Sequence, residues 1–84
     1  MSGAGVMREE VWEDERGKIA RYNLAFINHF SMKEDNGRVL GYDNAHGFHH
    51  RHFKGTVEVF PYANFRELTL RFYDEVQMLK AEIL

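Results

Sequence analysis

The sequence contains no cysteine. That excludes a disulfide framework, a thiolate metal site and a cysteine nucleophile, and it suits a reducing cytoplasm. Long apolar runs are missing as well. None approaches the ~20 residues that a membrane-spanning helix needs. Charge of one sign is also scarce: the formal net charge is −2, so bulk electrostatics cannot coat nucleic acid with this protein. Any such contact must come from a local patch. Met1–Gly5 carries neither a basic stretch nor an apolar core, so no secretory signal is expected there and the segment reads as a flexible start.

What remains is a chain of 84 residues, expected to be one domain over residues 1–84. A domain this small buries only somewhat more than ~60% of the surface its unfolded chain exposes. Its core is thin, and a homo-oligomer or an obligate partner is expected on that ground.

Alternating apolar residues predict strands. Val6–Glu13 reads as the first, followed by the polar turn Asp14-Glu15-Arg16-Gly17. Lys18–Asn28 is the clearest, with Ala20, Tyr22, Leu24 and Phe26 on one face and Arg21 and Asn23 on the other. A turn over Ser31–Gly37, ending in Asn36-Gly37, leads into a strand over Arg38–Asp43. The chain breaks at Asn44–Phe48, resumes through His49–Lys54 as a strand or an exposed loop, and closes with a strand over Thr56–Phe60. The one proline, Pro61, ends the strand region because it cannot donate to a central ladder. A helix follows. Asn64 caps it, with Glu67 three residues on, and Phe65, Leu68, Phe72, Val76, Leu79 and Ile83 recur as one apolar stripe. The expected architecture is α+β: an antiparallel meander of about four strands, with one long amphipathic helix on one face.

Chemistry concentrates in one stretch. Four of the five histidines, His46, His49, His50 and His52, fall within seven residues. Three uses fit them. As general acids and bases, two imidazoles titrating near neutrality can cleave RNA without metal, one removing the 2′-hydroxyl proton and one protonating the leaving oxygen. His50 and His52 are the expected proton-transfer pair, because alternation puts them on one strand face with Lys54. Arg51 or Lys54 would hold phosphate, and Asp43 or Tyr42 would orient the imidazoles, with His49 lining the substrate. Alternatively, His46, His49, His50 and His52, with Asp43 nearby, supply donors for a zinc- or nickel-type site, although their spacing fits no standard motif. In the third use the cluster is solvated or packs with Phe48 and Phe53. No cofactor is called for by any motif.

The segment Gly41-Tyr42-Asp43-Asn44 followed by His49-His50-Arg51-His52 resembles the TumE-type family of small toxin-antitoxin components. The order of strands before the motif and a short strand plus helix after it is similar too. In that family the loop between the two halves is often longer than Ala45-His46-Gly47-Phe48, so loop contacts do not carry over. The resemblance implies a bacterial growth-inhibiting protein of the cytoplasm, neutralised by a helix-turn-helix antitoxin partner. It marks Tyr42, Asp43, Asn44, His49, His50, Arg51 and His52 as motif positions. The expectation from residues and resemblance together is a toxin-like protein acting on RNA. The alternative is a non-catalytic module that docks a protein through a sheet edge, the helix or the His-rich turn.

Overall fold

A computed structural model of the protein describes residues 5–29 and 32–83. Most of the flexible start expected at Met1–Gly5, Ser31 of the second turn, and the side chains of Ile83 and Leu84 lie outside the described residues. Five strands run β1 (Val6–Glu13), β2 (Ile19–Ile27), β3 (Arg38–Asp43), β4 (His50–Phe53) and β5 (Thr56–Val59), followed by the helix α1 (Phe65–Ile83). They pair in chain order, all antiparallel, so β1 and β5 form the two edges. The fold is the expected α+β meander with helix, and the His-rich stretch supplies a strand of its own.

The turns follow from local chemistry. Asp14 accepts the amides of Arg16 and Lys18 at 2.8 and 3.0 Å, while Gly17 takes a φ of +79° to close the β1–β2 connection. Between β4 and β5 two residues suffice, Lys54 and Gly55, both with positive φ (48° and 86°), as the right-handed twist of a tight hairpin demands. The amide of Glu67 donates to Asn64 Oδ1 at 2.9 Å, which is the expected helix cap. Its loss costs about 1 kcal/mol.

One helix covers one face of the sheet. Tyr22, Leu24 and Phe26 from β2 and Leu40 and Tyr42 from β3 are buried against Leu68, Phe72, Val76 and Leu79 of α1, with Phe60 and Met32 at the margins. Ala20, expected on the same face of β2, is exposed near the strand's start. Among the described residues no helix lies on the opposite face. Register fixes what that open face carries: Glu10, Asn23, Asp43, His50 and Val59 lie side by side in one row, and Arg8, Ala25, Gly41, His52 and Val57 in the next. Among the described residues no helix is long and apolar enough to cross a membrane.

Candidate active site on the open sheet face

Alternation separates the motif. Asp43, His50 and His52 project to the open face, whereas Tyr42 and Arg51, which face each other across β3 and β4, project under the helix. On the open face His52 Nε2 lies 2.7 Å from Asp43 Oδ2, and His50 Nδ1 lies 3.7 Å from Asp43 Oδ1. The amide of Ala45 donates to Asp43 Oδ1 at 3.1 Å, which fixes the carboxylate between the two rings. The imidazole centroids are 6.4 Å apart.

The cation beside these histidines is Arg38. Its Nη2 lies 3.1 Å from His52 Nδ1 and its Nη1 lies 3.9 Å from Asp43 Oδ2, while Nε and Nη2 hold Asp35 at 2.8 and 3.3 Å. A guanidinium can only donate, so His52 Nδ1 accepts; its Nε2 therefore carries the proton and donates to Asp43. The tautomer of His52 is set by its two neighbours. His50 is different: among the described residues no hydrogen bond engages its ring, and it is about a quarter exposed (23%).

Simple alternation would place Arg38 with Leu40 and Tyr42, under the helix. A register break after the Phe26–Leu40 pair sets Ile27 opposite Arg38 rather than Val39. The extra residue shifts the alternation by one, turning Val39 into the core and Arg38 onto the open face. Its side chain then lies across Gly41: a Cβ there would sit 2.7 Å from Arg38 Cδ. A glycine directly opposite His52 with a long cation three residues earlier was the available sequence signal for Arg38. Asn23, paired with Asp43, adds a further group, since its Oδ1 is buried and has no hydrogen-bond partner among the described residues.

The other expected site residues are placed elsewhere. Arg51 is tied to the helix, donating to Glu75 Oε2 at 2.5 Å, to the Tyr42 hydroxyl at 3.1 Å and to Glu58 at 3.2 Å. Tyr42 is fully buried and donates its hydroxyl to Glu75. Burial first, then Glu75, push that hydroxyl up to about 12. Burial opposes the charge of Arg51, but its bonds to Glu75 and Tyr42 outweigh it and hold the guanidinium above its ordinary range. Neither residue reaches the histidine pair. Glu75, on the flank of the helical stripe, was not singled out by the sequence.

His49 packs inward, its ring stacked 3.9 Å from that of Tyr62 and its Nδ1 hydrogen-bonded with the Tyr22 hydroxyl at 2.7 Å. Burial first, and His50 second, lower its pKa. Lys54 occupies the β4–β5 turn with Nζ over Phe53, away from His52 although alternation grouped them. Asn44 is structural: its side-chain amide accepts from Tyr22 N at 3.0 Å and donates to Ala20 O at 3.1 Å, imitating a strand beside β2. His46 sits exposed in the following 3-10 turn with φ +62°. The four histidines therefore do not gather. Among the described residues, no three or more His, Asp or Glu side chains are arranged to hold a metal ion. In the tightest group both His52 nitrogens are already engaged.

No family model matches the chain, and neither a curated protein nor a solved structure matches it.

Proposed function

We propose that the protein is a toxin-like component of a bacterial toxin-antitoxin pair that cleaves RNA on its open sheet face without a metal ion. One observation carries the reading: two imidazoles, a carboxylate and a guanidinium converge on a face that the helix leaves bare. His50, whose ring makes no hydrogen bond among the described residues, takes the 2′-hydroxyl proton. Arg38 holds the scissile phosphate, since a guanidinium matches phosphate oxygens two at a time. When Arg38 turns to the phosphate, His52 Nδ1 loses its donor and becomes free to carry the proton that passes to the leaving oxygen. Asp43 keeps both rings in register throughout. A helix-turn-helix antitoxin would act by covering this face.

The test is inducible expression in bacteria of the wild type beside His50→Ala and Arg38→Gln, with growth and total RNA followed together. Circular dichroism checks each fold. Arrest with RNA breakdown, lost in both folded variants, is the expected result. Arrest that survives in both moves the activity to another surface, and the absence of arrest with the wild type removes the reading.

A second reading draws on a different observation. Phe48, Val57 and Val59 are 61, 54 and 67% exposed and border His50 and His52. A non-catalytic module would use this apolar rim to dock a protein, and would then lose binding in Val57→Lys or Val59→Lys while tolerating His50→Ala.

A further inference from the structure

β1 is an edge strand of eight residues, and every one of them is exposed. Among the described residues no strand lies beside its outward backbone groups, and four large apolar side chains, Val6, Met7, Val11 and Trp12, are 42 to 65% exposed along it. A long edge of this kind is a template for another strand. We propose that it pairs with β1 of a second copy, antiparallel, in one register centred on Glu9.

The register follows from symmetry and side-chain chemistry. Two copies joined edge to edge as antiparallel strands are related by a two-fold axis normal to the sheet, so opposed residues point to the same face. Only registers centred on a residue satisfy this. Centring on Arg8 sets Arg8 against Arg8 and Met7 against Glu9. Centring on Glu10 sets Glu10 against Glu10 and Glu9 against Val11. Centring on Glu9 sets Arg8 against Glu10, Met7 against Val11 and Val6 against Trp12, each pair occurring twice. Opposite charges or apolar partners meet at these three positions, Glu13 falls opposite Gly5, and like charges meet only at the axis. There, Glu9 faces its own copy, and that carboxylate is already held by the Tyr73 hydroxyl at 2.8 and 2.9 Å. Arg21, stacked over Trp12 at 5.2 Å, closes the Val6–Trp12 pair on the open face.

The product is a continuous sheet of ten strands, twice the five of one copy. Both helices cover one face and both histidine groups lie on the other. The pairing uses no residue of the histidine group, so it stands or falls independently of the proposed chemistry.

The absence of cysteine makes the register directly readable. Single cysteines are introduced as Arg8→Cys, Glu9→Cys and Glu10→Cys, and the purified full chains are oxidised and run without reductant. Opposed Cα atoms of an antiparallel pair are ~4.5–5.5 Å apart, inside the span a disulfide bridges. Glu9→Cys is expected to cross-link fastest, because it alone meets itself. Faster cross-linking of Arg8→Cys or Glu10→Cys overturns the register. Sedimentation of the wild type should give twice the 9.9 kDa of one chain. Arg8→Glu should reduce this to one chain, and Arg8→Glu with Glu10→Arg should restore the dimer. A monomeric wild type, or a dimer indifferent to both changes, overturns the proposal.

Discussion

Replacing Arg51 by methionine tests the division of the motif between the two sheet faces. The guanidinium joins β4 to α1 through Glu75 and Tyr42, and the side chains of Arg51 and Glu75 are 16 and 21% exposed. A hydrogen bond to a charged group is worth ~1.5–3 kcal/mol when buried. The contact to Glu58, whose side chain is 57% exposed, adds little. With partial exposure discounted, the loss is about 3 kcal/mol, most of it from leaving the Glu75 carboxylate with only the Tyr42 hydroxyl and a longer ion pair to Arg71 at 3.8 Å. For 84 residues at ~0.05–0.15 kcal/mol each, total stability is about 4–13 kcal/mol, so this is a large share. Thermal unfolding should fall by on the order of 10–20 °C. The assay is urea denaturation followed by circular dichroism, where the midpoint should drop at unchanged slope. Adding Glu75→Gln should recover part of the loss, a coupling of about 1 kcal/mol or more. A loss below about 1 kcal/mol, or strict additivity with Glu75→Gln, would refute the clamp. RNA cleavage that disappears while stability is untouched would return Arg51 to the site.

Two further outcomes follow from the same geometry. Gly41→Ala places a Cβ 2.7 Å from Arg38 Cδ, so the flexible Arg38 side chain is expected to swing away while the fold changes by less than about 1 kcal/mol; ¹⁵N spectra of His52 should show the loss of its Arg38 hydrogen bond, and the proposed cleavage, if present, should fall to the level expected for Arg38→Gln, whereas unchanged spectra would refute the contact. Burial first, and His50 second, lower the pKa of His49 in the fold, so its contribution is complete above the unfolded value of ~6.5 and is lost as pH falls through and below it. Denaturation between about pH 7.5 and pH 5 should therefore show declining stability, and His49→Phe, which keeps the stack on Tyr62 but strands the Tyr22 hydroxyl, should be less stable at neutral pH yet flatter across that window; an unchanged slope would show that other groups carry the acid sensitivity.

Much of the architecture was legible along the chain because it rests on local rules. Alternation set β2 and β3. Asp14 and Gly17 shaped a turn, and Asn64 capped the helix whose 3.6-residue stripe makes the core. The shared face of His50 and His52 was also readable, since a period of two is a property of any strand. Pairing across strands was not. It alone sends Arg51 and Tyr42 to Glu75 beneath the helix, because which face a helix covers depends on residues more than twenty positions away. The one-residue bulge opposite Ile27 lies outside any local pattern as well, since it arises from the mismatch of two strands and not from the sequence of either. The sequence by itself determined four of the strands, the helix and the shared face of the histidine pair; the tertiary structure decided that His50–Phe53 is a strand and that Arg38, and not Arg51, is the cation beside them.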